Sequence, residues 1–563
     1  MAAIEHRTKR KLITMSESVF LSGDENWWRQ AVVYQVYPRS FKDSNGDGLG
    51  DIKGITSKVD YLAELGVDAI WLSPFYPSAL ADGGYDVADY RDVDPKLGTL
   101  ADFDEMIAAY HAKGIRVFAD IVPNHSSDLH VWFQEALKAE PGSAARDRYI
   151  FRDGKGENGE LPPNNWPSHF GPSGWTRTTN ADGTPGQWYL HLFAPEQPDF
   201  NWDNEEVIED FKKTLRFWSD RGVDGFRIDV AHAMKKDMSE PYPEIKNYDM
   251  ENIPLDGSHH LFDRDDVMEI YKGWREIFNS YNPPRVAVAE AWVPAERRPR
   301  YASPETLGQA FNFDLLSASW SAKKFKKTIE FNLELSETSG SSSTWVLSNH
   351  DVIRHATRYG LPKKTNFEKW VMTDGNSPEL DREKGQSRAR AATMLLLALP
   401  GSTYLYQGEE LGLFEVADLP GQVLQDPIWL RDGMTRKGRD GCRVPLPWEI
   451  NGSSFGFGTG SAHLPQPSWF AGHSVEFEEK QEDSTLKLYR AALKLRKELL
   501  TTETLEWVPS KRKVVHFKRE NGWHNITNFG KKPVALPVGT VLLTSAPLVE
   551  GKLPGNSTAW IKE

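Results

Sequence analysis

Residues 223–231 read VDGFRIDVA, an apolar run with Arg227 and Asp229 set into it. Two positions apart on a strand, those side chains share a face. A near-continuous apolar run is what a strand buried on both faces requires, as in a parallel sheet. Opposite charges buried inside one are costly unless the molecule uses them. Seven further runs share the character: AVVYQVY (31–37), VDAIWLS (67–73), IRVFADIV (115–122), VAVAEAW (286–292), GQAFNF (308–313), TWVLSNHD (344–351) and STYLYQG (402–408). Between most of them lie segments of helical spacing; 58–66, 100–114 and 205–222 each close on glycine, the usual helix stop. Eight strand–helix alternations predict an α/β chain built as a (β/α)8 TIM barrel rather than an open sheet. The short sixth run is the weakest member of that count.

Two spacings exceed a simple crossover. Residues 126–204, after the third run, are rich in Pro, Gly, Asn and Trp and predict an inserted, loop-rich subdomain. Residues 411–475, after the eighth, predict a second loop-rich excursion. The barrel then spans 24–125 and 205–490, residues 1–23 read as a flexible tail, and the short alternating stretches of 491–563 predict a C-terminal antiparallel β domain.

The formal charge of −13 argues against a phosphate-binding surface and so against a nucleic-acid partner. Cys442 is the single cysteine, so no intramolecular disulfide can form. No apolar stretch approaches the roughly 18 residues of a membrane span. The basic start lacks the apolar core of a secretory signal. These features predict a cytoplasmic protein with neither membrane nor nucleic-acid partner, acting as a monomer or homodimer.

In such barrels chemistry gathers at the C-terminal ends of the strands. There the sequence places Asp120, Asn124 and His125 on the third run, Arg227 and Asp229 on the fourth, Glu290 on the fifth, and His350 and Asp351 on the seventh. A lone strand-end carboxylate is more often a cap or ion-pair partner; several converging with two histidines point to chemistry. One carboxylate to attack an anomeric carbon and a second carboxyl to protonate the leaving oxygen is the equipment of glycoside hydrolysis.

The stretches DIVPNH (120–125), GFRIDVAH (225–232), AEAW (289–292) and LSNHD (347–351) resemble, in order, the four signature regions of glycoside hydrolase family 13, the α-amylase superfamily. QPDFN (197–201), GGYDVADY (83–90) and YQGEELGL (406–413) resemble its oligo-1,6-glucosidase and α-glucosidase branch. The resemblance implies an exo-acting, retaining α-glucosidase with short oligosaccharides as substrates. It implies Asp229 as nucleophile, Glu290 as acid/base and Asp351 as the third carboxylate. Arg227, on the face of Asp229, would hold the nucleophile ionised. The apolar setting of Glu290 should raise its pKa. His125 and His350 would bind glucose hydroxyls, Tyr85 would stack on the ring, and Phe170 and Phe193 would add apolar walls. Asp82 and Arg443 resemble the pair that shuts the pocket behind the first sugar.

Val230, directly after Asp229, resembles the branch members that cleave α-1,6 bonds, although pocket differences of a methyl or two discriminate only about 10–200-fold. DVAHAMKK lacks the Lys-His pair of many starch-cleaving α-amylases, and it departs from the usual VINF as GRDGCRVPLPW departs from ARTPMQW. Trehalose synthases and sucrose isomerases share the catalytic residues and stay as alternatives; a catalytically inactive sugar-binding relative is disfavoured by the intact carboxylates. Residues 43–51, DSNGDGLGD, offer oxygens at alternate positions, which suits a hard cation. By resemblance Asp43, Asn45, Asp47, Asp51 and the Leu49 carbonyl would hold a structural Ca²⁺ or Mg²⁺.

Overall fold

A computed structural model of the protein describes residues 25–563 apart from 181, 246–252 and 501; the tail read over 1–23 lies outside the described residues. All eight runs are strands: β1 Val32–Val36, β2 Ala69–Leu72, β3 Arg116–Ile121, β4 Gly225–Ile228, β5 Val286–Ala289, β6 Gly308–Ala310, β7 Thr344–Val346 and β8 Ser402–Tyr406. β1 to β6 pair in parallel in chain order, β7 pairs with β8, and β8 pairs with β1. The short β6 meets β7 just beyond its end, through a parallel bridge between Asn312 and Trp345 and the 3.0 Å bond from Asn312 N–H to the Thr344 carbonyl. That bridge closes the barrel.

Local chemistry explains the elements. Gly225 starts β4 because a Cβ there would come within 2.8 Å of the Phe118 ring and 2.9 Å of Val286. The helix Leu100–Ala112 begins with a capping box, Thr99 and Asp102 each satisfying the other's backbone N–H. The helix Glu205–Asp220 buries Val207, Phe211, Leu215 and Trp218 at helical spacing and leaves its charged face outside.

Residues 126–204 contain more regular structure than their composition predicts: the helix Val131–Lys138 and an antiparallel sheet in which Pro185–Leu190 lies between Phe151–Arg152 and Trp175–Thr179. The chain ends in a five-stranded antiparallel sheet beginning at Glu506. The boundary drawn at 490/491 falls inside the helix Thr485–Leu499, which Ser484 caps and whose buried residues run its whole length. The sheet docks on the helix Arg382–Leu397 through Trp560 Nε1 to the Met394 carbonyl (3.1 Å) and Thr558 Oγ1 to the Ala391 carbonyl (2.8 Å). Among the described residues no helix is long and apolar enough to cross a membrane.

At the opposite end of the barrel from the strand C-termini, Arg496 gathers four backbone carbonyls: Leu397, Leu399 (3.2 Å), Gln30 (3.0 Å) and Gly401 (2.7 Å). It ties the chain leading into β8 to that leading into β1. Replacing it with methionine leaves these acceptors without their donor in the interior. The expected cost is about 1–3 kcal/mol in urea unfolding; no measurable loss would mean the carbonyls find other partners.

Candidate active site

The charged groups converge where β3, β4 and β5 end. Register places Asp120 opposite Arg227, and the neighbouring strand sets Val288 on the other side. Arg227 is 2 % exposed. Its Nη1 donates to both oxygens of Asp120 (2.9 and 3.1 Å) and to Asp229 Oδ1 (2.5 Å), while Nη2 stands 3.4 Å from Glu290 Oε2. Trp71 Nε1 and the Tyr85 hydroxyl also donate to Asp120, at 3.2 and 3.1 Å. Asp120, read in the sequence only as a strand end, thus shares the cation expected to serve Asp229 alone.

Beyond β4 the backbone bends sharply. Val230 has φ 43°, a left-handed conformation that a β-branched residue rarely adopts. The bend aims its N–H at Glu290 Oε2 (2.7 Å), while Trp292 Nε1 donates to Oε1 (2.5 Å). The Val230 side chain is buried in a cluster with Trp166, Leu192 and Phe262. Its placement therefore serves both the carboxyl of Glu290 and an apolar wall.

Burial pushes both Glu290 and Asp229 above the ordinary carboxylate range, and Arg227 opposes the shift in each. Arg227 opposes the effect of burial on Asp229, the direction the sequence implied, and Asp120 shares its charge. The Arg227 contact is shorter to Asp229 than to Glu290, so the pair's negative charge favours Asp229 and its proton Glu290. Asp351 is held well below the usual range, against its burial, by His350, Arg439 and Arg443. His350 Nε2 lies 3.2 Å from Asp351 Oδ2, with Gln35 Nε2 donating to Nδ1 at 2.6 Å. That assigns the neutral tautomer with its proton on Nε2.

The expected Asp82–Arg443 pair is absent. Asp82 Oδ1 is bound by Arg439 Nη2 at 2.7 Å, and Arg439 also reaches Asp351 (3.0 Å) and Asp426 (2.7 Å). Arg443 follows a tight turn at Asp440–Cys442 and donates instead to the His350 carbonyl (2.8 Å) and Asp351 Oδ1 (3.0 Å). GRDGCR holds two arginines four apart, and spacing alone does not say which one reaches the pocket end. Tyr85 stacks on His350, centroids 5.2 Å apart and planes 1° from parallel, so one face of the expected sugar platform is already covered.

The remaining expected residues meet around one cavity of about 620 Å³: His125, Phe170, Phe193 and Val230 line it together with Asp82, Tyr85, Asp229, Glu290, His350 and Asp351. Arg227 lies beneath. Lys236, within the unfamiliar VAHAMKK, went unread. Its Nζ sits between Asn124 (2.9 Å), the Ala233 carbonyl (2.8 Å) and Asp199 (3.1 Å), bracing the segment that carries His125. Its only signal was a lysine in an apolar stretch.

The 43–51 loop folds on itself. Asp43 accepts from the N–H groups of Asn45, Gly46 and Gly48, Asp47 from Leu49, and Asp51 from Ser44 and Gly54. These oxygens suit a hard cation, although Asp43 Oδ1 and Asp51 Oδ1 each already accept two hydrogen bonds. Yet among the described residues no three Asp, Glu, His or Cys groups converge as a metal cluster.

Burial pushes His125 down to about 3 and His350 well below its usual value, so the folded chain keeps both neutral. Unfolded imidazoles protonate near 6.5, so below that pH the unfolded state binds more protons and stability is lost as pH falls. In His125→Asn, the drop in unfolding free energy from pH 7 to pH 5 should shrink by about 2 kcal/mol; an unchanged drop contradicts the assignment.

The model of the α-amylase catalytic domain matches residues 35–503. A probable α-glucosidase of Rhizobium meliloti (strain 1021) is 36% identical over 528 residues, covering 91% of this chain and 90% of that protein. The oligo-1,6-glucosidase of Parageobacillus thermoglucosidasius is 35% identical over 509 residues, 84% of each. The solved structure of the α-glucosyl transfer enzyme XgtA superposes with a TM-score of 0.80 at 34% identity, covering 95% of this chain and 99% of that one. The barrel, its rim of carboxylates and these matches together place the chain in the α-amylase superfamily, glycoside hydrolase family 13, as a glycoside hydrolase of the α-glucosidase branch.

Proposed function

We propose that the protein is an exo-acting, retaining α-glucosidase that releases α-glucose from the non-reducing ends of maltose- and isomaltose-type oligosaccharides. The observation that carries this reading is the arrangement around Arg227 and Arg439. One cation serves Asp229 and Glu290; the other crosses the end of the same cavity from Asp82 to Asp351. A barrier there admits a chain end and excludes a chain passing through.

The reaction proceeds in two displacements. An Asp229 oxygen bonds to C1 as the glycosidic C1–O bond breaks, and Glu290 gives its proton to the departing oxygen. Water then attacks C1, its proton passes to Glu290, and the ester bond to Asp229 breaks. Two inversions retain the α configuration. Val230 beside the reacting carbon supports cleavage of α-1,6 bonds. The same intermediate is open to transfer, because any hydroxyl in place of water completes the second step. The single buried cysteine is consistent with a cytoplasmic setting.

NMR of a fresh digest should show α-glucose before mutarotation, from isomaltose at least as fast as from maltose, and Asp229→Asn should lower turnover about 10⁴-fold while the protein stays folded. First-formed β-glucose overturns the retaining mechanism, and isomaltose cleaved much more slowly than maltose removes the role given to Val230.

We further propose Ca²⁺ or Mg²⁺ as a structural ion of the 43–51 loop, none of whose residues lines the cavity. EDTA dialysis should lower the melting temperature and Ca²⁺ should restore it; an unchanged melting temperature and metal content mean that the loop's own hydrogen bonds suffice.

A further inference from the structure

We infer that the protein binds a small monovalent anion, of the halide or formate class, between Arg39 and Arg443 beside Gly83. The site lies outside the cavity that holds the carboxylates, which none of Arg39, Arg443, Tyr37 and Gly83 lines.

Arg39, just beyond β1, is 7 % exposed. A guanidinium keeps its charge at any working pH, so one taken out of water needs a counter-charge or acceptors for its N–H groups. Buried counterparts meet that need in one way or the other. Arg227, Arg439 and Arg443 each face a carboxylate. Arg354 and Arg496 give both terminal nitrogens to main-chain carbonyls. Arg39 does neither. Its Nη2 donates to Gln425 Oε1 at 2.6 Å and its Nε is buried without an acceptor. Among the described residues no carboxylate comes within ion-pair distance of it.

Its Nη1 points to where Gly83 lacks a side chain. A Cβ there would meet the Tyr37 hydroxyl at 2.7 Å, Arg443 Nη1 at 3.4 Å and Arg39 Nη1 at 3.8 Å. Three donors thus converge on one flank of the glycine. Arg443 commits its Nε to the His350 carbonyl and its Nη2 to Asp351, which leaves Nη1 for this side. Tyr37 spends its proton on a long 3.4 Å contact with the Gly83 carbonyl, so it too can turn to an anion. Gly83 is itself half-buried, which gives an ion a way in from solvent.

The donors and their neighbours define the ligand. Two guanidinium N–H groups and a phenolic O–H hold an anion by charge-assisted hydrogen bonds. Asp82, directly before Gly83, has Oδ1 on Arg439 and Oδ2 3.3 Å from Gln197 Nε2. Its negative charge disfavours a divalent anion such as sulfate. Room opened by one missing side chain suits a single atom or a three-atom ion. Bound there, the anion offsets Arg39 and screens it from Arg443, and so stabilises the folded chain by linkage.

The test is thermal unfolding at constant ionic strength, with bromide or formate replacing the bulkier methanesulfonate. The melting temperature should rise by about 2 °C and then saturate. Arg39→Gln should remove the rise, and Tyr37→Phe should raise the half-saturating concentration about fivefold. If Arg39→Gln does not fold, the Tyr37→Phe shift decides. Crystals soaked in bromide should show an anomalous peak touching both Nη1 atoms. No rise, a rise that never saturates, or one unchanged in the variants overturns the inference. So does a bromide peak without a thermal response, which would mean binding at crystal concentration only. Every readout is independent of turnover, so the glucosidase reading and this inference stand or fall separately.

Discussion

Arg227 brings one positive charge against three carboxylates, those of Asp120, Asp229 and Glu290, in a place the solvent hardly reaches. Without it, burial and mutual repulsion would drive those groups to protonate or apart. The contact exists because β3, β4 and β5 are consecutive neighbours whose pairing sets Asp120 level with Arg227. A slip of one residue would turn the arginine to the other face. Barrel closure, down to the bridge from Asn312 to Trp345, therefore holds the charge pattern as much as the core.

The cost of that pattern is visible in Val230. Its left-handed backbone stores about 1–3 kcal/mol. Burying its side chain returns a similar amount, about 1.5–3 kcal/mol. What the strain achieves is an N–H directed at Glu290, so that the residue after one carboxylate positions the other. Asp82, Arg439 and Asp351 form a charged end of the cavity, and Trp292, Val352 and Phe367 line it as well.

Strand positions and the placement of carboxylates were legible in the sequence because both follow from local pattern: apolar runs for buried strands, polar residues where the runs end. Even the short sixth run is a strand, completed by Asn312 one residue outside the regular pairing. What escaped reading depends on which distant side chains meet. Asp82 takes Arg439 rather than Arg443 because a tight turn separates two arginines that look equivalent in GRDGCR. Lys236 finds Asp199 across 37 positions, a pairing no local spacing encodes. The regular structure of 126–204 was hidden by its Pro and Gly content.

The central claim is that Asp229 carries the glucosyl group between two displacements. The most direct test is to trap it with 5-fluoro-α-glucosyl fluoride, whose ring fluorine slows the second step, and to read the intact mass and the labelled peptide. A gain of one fluoroglucosyl unit, placed on Asp229, is the predicted result. A stable, active protein that accumulates no adduct, or one labelled at Glu290, Asp351 or Asp120, contradicts the account.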